Sequence, residues 1–278
     1  MNAERQDRPV REVSIEAMRD HRLSPRQDVV VVEEPLEIRV ARPGEAGPGA
    51  AVSVTMRTPG QDVELALGFL HGEGILRSRE DVAGSRLCGP AGNVVRIELA
   101  AGTALDPARM QRNFYTTSSC GVCGNASLEA VERMLRSPRV DAALTVPAAL
   151  LESLPARARA GQQVFRETGG LHAACLFDAA GRLLDLREDV GRHNALDKLV
   201  GARLLAGELP LSQCVLLLSG RASFELVQKA AAAGIPVVAA VGAPSSLAVD
   251  LAGRTGILLV GFLREGSFNV YAHRERLQ

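Results

Sequence analysis

The spacing of apolar positions changes about midway along this chain. In the first half, Val29–Val40 (VVVVEEPLEIRV) predicts a strand, interrupted at Glu34-Pro35, where proline restricts pairing to an edge or a bend. ARPGEAGPGA over 41–50 predicts a turn, and AVSVTMRT then alternates with Val52, Val54 and Met56 on one face. After Pro59-Gly60, Asp62–His71 sets Val63, Leu65, Ala66, Leu67, Phe69 and Leu70 at helical spacing, a buried helix that the glycines of HGEG end. NVVRIEL (93–99) reads as another strand, and LEAVERML (128–135) as an amphipathic helix. Pro147–Ala160 is a helical stretch, weakened by Pro155, that bridges the two halves.

From about residue 165 strands and helices alternate. LHAACLFD, the turn DAAGR and LLDLRE form a predicted hairpin ending at Glu188. Helix 192–205, strand 213–218, helix 223–233, strand 236–241, helix 245–252 and strand 257–262 follow, and strand 267–272 closes the series. Strands separated by helices of this length imply a mainly parallel sheet with right-handed crossovers. The expected fold class is therefore α/β. Its expected organisation is a flexible lead-in over 1–27, an α+β unit over 28–146 and an α/β unit over 147–278. The lead-in is rich in Arg, Asp, Glu and Gln and lacks sustained periodicity.

Composition narrows the function classes. Lys+Arg and Asp+Glu are both 32 among 278 residues, so no overall basic field draws in nucleic acid or an anionic membrane. Nine aromatics and no Trp argue against a base-stacking platform. The opening MNAERQDRPVREVS has no apolar core of a secretory signal, and the longest apolar runs fall far below the roughly 20 residues of a membrane helix. The expectation is a soluble cytoplasmic protein with no nucleic-acid or membrane partner. In that reducing setting a CxxC pair is reactive or metal-bound sooner than a structural disulfide.

Such a pair is present. Cys120-Gly121-Val122-Cys123 lies in TTSSCGVCGNAS (116–127), which has no charge and almost no large side chain. In thioredoxin-like redox sites the pair sits at a helix N-terminus, whereas here it precedes its helix by several residues. A thiol carrier that visits two partners needs such a pliant, uncharged segment. Three readings stay open: a transferable-sulfur or redox pair, half of a zinc site completed by Cys88, Cys175, His172 or His193, and inert thiols. Zinc is the weaker reading, because no second closely spaced pair exists and neither HAA (172–174) nor HNA (193–195) supplies the Glu of a zinc deaminase. No metal ligand is assigned and no intrinsic zinc is expected. Cys175 and Cys214 fall in apolar strands and read as buried, and Cys88 reads as a turn residue.

Three strand-to-helix turns form the second candidate feature: REDVGRHN (187–194), SGRAS (219–223) and GAPSS (242–246). In a parallel sheet they gather at the carboxyl edge, where ligands bind and helix N-terminal amides favour an anion. Arg192 and Arg221 suit bidentate phosphate contacts, and His193, Ser219, Gly220 and Ser245 complete the candidate set. Each turn alone is explained by ordinary capping and turn chemistry. Together they point to a phosphorylated or nucleotide-like ligand. The only two lysines, Lys198 and Lys229, lie on helices that follow these turns, and the expectation is that they add to a local cationic cluster there.

With these segments in view, the sequence resembles the FdhD family of formate dehydrogenase accessory sulfurtransferases. TTSSCGVCG, MRTPGQDVELALGFLHGEGI, REDVGRHNALDKLVG, SGRASFELVQKAAAAGIPVVAAVGAPSSLAVDLA and GFLREGSFNVYAH carry the resemblance, from roughly Glu33 to His273. It implies a sulfur carrier that takes sulfane sulfur from a cysteine desulfurase as a persulfide on Cys120, with Cys123 as partner. The sulfur then passes to molybdenum (or tungsten) bis(molybdopterin guanine dinucleotide), bound as a ligand and substrate, before insertion into formate dehydrogenase. The resemblance assigns cofactor binding to Phe262, Leu263, Arg264, Glu265, Gly266 and Ser267. It also implies a cytidine-deaminase-like C-terminal fold with a mixed sheet, a smaller N-terminal α+β domain, and a homodimer. The alternatives are a dithiol–disulfide redox protein cycling Cys120 and Cys123, and a non-catalytic molybdenum-cofactor chaperone.

Overall fold

A computed structural model describes residues 8–89, 92–103, 140 and 143–278. Its largest sheet has six strands in the order β12-β11-β10-β9-β7-β8. These are β7 (His172–Asp178), β8 (Leu183–Asp189), β9 (Cys214–Leu218), β10 (Val237–Ala240), β11 (Leu258–Arg264) and β12 (Ser267–Ala272). Strands β9, β10 and β11 are mutually parallel, while β7 runs antiparallel to both β8 and β9. Every residue of β9 (CVLLL) and β10 (VVAA) is buried, because helices cover both faces. Leu216, Leu218, Val238 and Ala240 meet α4 (Arg192–Leu205), α5 (Phe224–Ala232) and α6 (Ser246–Thr255). Val215, Leu217, Val237 and Ala239 meet α2 (Ala148–Gly161), which runs through Pro155. The fold is mixed α/β, as the alternation of elements predicts, but the expected mainly parallel sheet is corrected: only β9–β10 and β10–β11 pair in parallel, while β7–β8, β7–β9 and β11–β12 are antiparallel.

The second sheet has four strands in the order β4-β3-β6-β5: β3 (Glu34–Ala41), β4 (Ala50–Arg57), β5 (Val82–Cys88) and β6 (Val94–Leu99). Leu36, Ile38, Val95 and Ile97 pack on α1 (Asp62–Gly72), and Leu204 of α4 joins the same core. Pro35 pairs only toward β4, since the ladder with β6 begins at Glu37, so its missing N–H leaves no gap there.

Two glycines join the units. A Cβ on Gly68 of α1 would lie 1.9 Å from the carbonyl oxygen of Asp197, and one on Gly201 of α4 would lie 1.8 Å from that of Glu64. Backbone therefore meets backbone where the helices cross.

Two further expectations are corrected. Residues 1–27 are not wholly a flexible lead-in: β1 (Val10–Arg19) and β2 (Arg22–Val31) form an antiparallel hairpin. Its turn residues Asp20 and His21 have φ of 47° and 61°, the left-handed pair a two-residue hairpin turn requires, here without the glycine that would announce it. The face of β4 is also inverted. An irregularity between Ile38 and Arg39 in the β3–β4 register leaves Val52 buried but turns Ser53, Thr55 and Arg57 inward, with Met56 exposed. Those polar groups are satisfied inside: Arg57 forms a two-point pair with Asp62 at 2.9 and 2.8 Å, and Thr55 Oγ1 donates to Asn194 Oδ1 at 3.2 Å.

Gly201→Ala is expected to cost about 3 kcal/mol or more, since the clash falls on backbone rather than on a movable side chain. Gly253→Ala, in α6 with nothing within 4 Å of the added carbon, should instead gain about 0.5–1 kcal/mol. Urea unfolding of both variants checks the contrast.

Candidate functional site

The carboxyl ends of β8, β9, β10 and β11 share one edge of the six-stranded sheet, and β7 starts there because it runs the opposite way. The three predicted turns meet at that edge, and those at 219–223 and 242–246 are chained by backbone hydrogen bonds. Gly242 N donates to Gly220 O at 2.8 Å, Ala222 N to Ala243 O at 3.1 Å and Ser245 N to Ala222 O at 3.0 Å. The end of β11 is tied to them by Phe262 N donating to Gly242 O at 3.1 Å. Such approach requires glycine: a Cβ on Gly242 would sit 2.9 Å from the backbone of Arg221.

The candidate residues divide by what they already hold. Ser219 Oγ accepts from Ala173 N at 2.8 Å, and Ser245 Oγ caps α6 through Ala248 N at 3.3 Å. Arg221 is exposed, while the Nε of Arg192 is buried with no hydrogen-bond partner. Arg264 Nη1 donates to Val241 O and Leu263 O at 2.7 and 2.8 Å. Phe262 is 46% exposed with φ of 53°, whereas Leu263 is fully buried and offers the edge only its backbone. Glu265 and Gly266 form the turn into β12, with Gly266 at φ 73°, and Ser267 opens that strand.

His193 opens α4, and its Nε2 lies 2.9 Å from Glu225 Oε2 and 3.1 Å from Ser223 Oγ at the start of α5. Glu225 escapes a reading by motif, although its place in the first turn after SGRAS is a usable signal. Its carboxyl is lowered against the opposing effect of burial, chiefly by the bond to His193. His172 also belongs here. It faces Asp189 across the β7–β8 pair, and a Cβ on Gly220 would lie 3.2 Å from its Nδ1. Burial, then the electrostatic influence of Arg192, His193 and Arg221, pushes its pKa below the ordinary 6.5.

The expected contribution of the lysines to this cationic cluster is corrected. Lys198 is 1% exposed and pairs with fully buried Asp189 at 2.8 Å, and Lys229 pairs with Asp197 at 2.7 Å with its ammonium 5.5 Å from the Phe69 ring centre. Burial works to lower the pKa of Lys229, but Asp197 and Glu73 outweigh it and raise the pKa. Both ammonium groups are internal.

Cys120 and Cys123 lie outside the described residues. Burial pushes the thiol of Cys175 up to about 12 and raises that of Cys214, which suppresses thiolate chemistry at both. Cys88 ends β5 rather than sitting in the following turn, because its pairing with Val94 extends the strand to that point. Among the described residues no helix is long and apolar enough to cross a membrane.

Comparison with known proteins turns this geometry into a family assignment. A model described as the FdhD/NarQ family matches residues 31–278. The chain belongs to the FdhD/NarQ family. It is 57% identical over 260 residues to the sulfur carrier protein FdhD of Mycolicibacterium paratuberculosis, covering 91% of this chain and 93% of that one. It is 54% identical over 268 residues to the sulfur carrier protein FdhD of Streptomyces coelicolor, covering 94% and 93%. The crystal structure of a formate dehydrogenase accessory protein from Desulfotalea psychrophila superposes with a TM-score of 0.75 at 25% identity, covering 98% of this chain and 100% of that one. The FdhD/NarQ match includes every candidate site residue, while nearly all of the β1–β2 hairpin precedes it.

In this FdhD/NarQ member the imidazole of His172 is expected to titrate below 6.5, and Arg221→Ala should raise its midpoint, which NMR titration of the ring checks. A depressed folded-state pKa favours the neutral ring. Its contribution to stability is therefore complete above 6.5 and is lost as pH falls through 6.5 toward the folded value.

Proposed function

We propose that this chain is a cytoplasmic sulfur carrier serving formate dehydrogenase. The names of its relatives support the role, and the gathering of Arg192, Arg221 and Arg264 with helix-opening turns at one sheet edge is the observation that carries the ligand reading. In this reading Cys120 attacks the terminal sulfur of a cysteine desulfurase persulfide as a thiolate. A new S–S bond forms on Cys120, the desulfurase S–S bond breaks, and the desulfurase cysteine leaves as thiolate. The sulfur is destined for molybdenum bis(molybdopterin guanine dinucleotide), held as substrate before its insertion into the dehydrogenase. Cys123 either relays the sulfur or resolves the persulfide; in the second case the two cysteines form a disulfide and the terminal sulfur departs as sulfide.

The chain's own residues would meet the dinucleotide through its phosphates. Arg221 and Arg192 supply guanidinium donors, and the edge supplies free backbone amides at the openings of α4 and α5, where no side chain caps the helix. Residues 262–267 lie beside them, with the exposed ring of Phe262 and the backbone of the β11–β12 turn. A mixed sheet with helices on both faces is in keeping with a deaminase-like scaffold put to other chemistry. The functional unit is taken to be a homodimer.

Two measurements test the proposal. Guanosine diphosphate should bind the wild-type chain, and Arg221→Ala should weaken that binding about tenfold, the loss of one charge-assisted contact. Absence of binding by the wild type, followed by calorimetry, removes the ligand reading. After incubation with desulfurase and cysteine, mass spectrometry should find one added sulfur on Cys120 that Cys120→Ala abolishes. An undiminished persulfide in that variant overturns the assignment to this thiol.

A further inference from the structure

The turn carrying Arg192 and His193 is held from two sides by one carboxylate. Asp189 Oδ1 works within the turn, accepting from Gly191 N at 2.8 Å and Asn194 Nδ2 at 3.0 Å. Asp189 Oδ2 works across it, accepting from Thr58 N at 3.1 Å and pairing with Lys198 Nζ at 2.8 Å. Thr58 belongs to the other sheet's unit, in the segment joining β4 to α1. It returns two contacts: its carbonyl accepts from Lys198 Nζ at 2.8 Å, and its Oγ1 accepts from Val190 N at 3.2 Å. Asn194 extends the tie by donating to Met56 O at 2.7 Å. Asp189 is 0% exposed, Lys198 1% and Thr58 2%, so none of the three reaches a ligand.

We infer that Thr58, acting through Asp189 and the 189–194 turn, is a positioning residue for Arg192 and His193, so that the four-stranded unit sets ligand affinity at the edge of the six-stranded sheet. The inference rests on the anion-binding reading of that edge. Its physical basis is direction. The clamp fixes the backbone on which Arg192 and His193 stand, while Arg221 stands on the neighbouring turn, held by its own bonds to 242–245. Releasing the clamp should therefore misplace Arg192 and leave Arg221 in position.

Thr58→Val removes the acceptor of Val190 N while keeping shape and both backbone contacts. The experiment titrates guanosine diphosphate into the full chain by calorimetry for wild type, Thr58→Val, Thr58→Ser, Arg192→Ala, Arg221→Ala and the two double variants combining Thr58→Val with an arginine change. Thr58→Val is expected to weaken binding about tenfold, and Thr58→Ser to restore it. In the Arg192→Ala background Thr58→Val should have little further effect, while in the Arg221→Ala background its full loss should add. Equal losses in both backgrounds, or unchanged affinity in a folded Thr58→Val chain, would overturn the inference. Failure of the wild type to bind would strike the anion-site reading itself. Should Thr58→Val fail to fold, Asn194→Ser replaces it in the same cycle, with the same pattern expected and the same equal losses overturning it.

Discussion

The crossing of α1 and α4 is the constraint on which the rest of the molecule depends. Gly68 and Gly201 let the two helix backbones touch where any side chain would overlap a carbonyl oxygen. That approach brings the four-stranded unit against the six-stranded one and places Leu204 of α4 in the core of the smaller sheet. It also draws the polar end of β4 against the start of α4, where Thr55, Thr58 and Asn194 find partners across the join. Loosen the crossing, and these contacts lose their register.

Buried charge at this join follows from the same closeness. Asp189–Lys198 and Asp197–Lys229 are pairs removed from water, where desolvation offsets much of the Coulomb attraction. Such pairs add little net stability, but breaking one leaves an uncompensated charge, so they penalise wrong arrangements heavily. Lysine suits this role because its compact ammonium can be packed away on a flexible stem. Arg192 and Arg221 differ and stand at the sheet edge, with Arg221 exposed and the Nε of Arg192 without a partner. On α4 and α5 both ammonium groups are thus internal, while the arginines of the preceding turns stand at the edge.

Much of the C-terminal architecture is legible in the sequence because both faces of its strands are covered. Continuous apolar runs such as CVLLL and VVAA, punctuated by Gly, Ser and Asp, leave little ambiguity about element type or order. The hairpin at Val10–Val31 is not legible, since its turn uses Asp20-His21 rather than glycine and its strands are mostly exposed, with charges interspersed. The inverted face of β4 could not be read either. One register irregularity reverses the alternation after Val52, and the polar residues turned inward find partners that the alternation does not show: Asn194 of the other unit for Thr55, and Asp62 of α1 for Arg57.

For the candidate site, sequence by itself determined which turns converge: parallel strands must send their carboxyl ends to one edge, whatever the packing around them. It also brought forward Arg192, His193 and Arg221, while the segment 262–267 came from the family resemblance. Only tertiary structure decided what each group is free to do. Ser219 and Ser245 are engaged with backbone, the lysines are sequestered, and His172 joins the edge because its strand runs antiparallel. Local sequence records residue chemistry and spacing, whereas the availability of a charge depends on partners far along the chain. Asp189 illustrates the difference: an ordinary turn residue by sequence, it becomes a fully buried bridge once Thr58, distant in sequence, is packed against it.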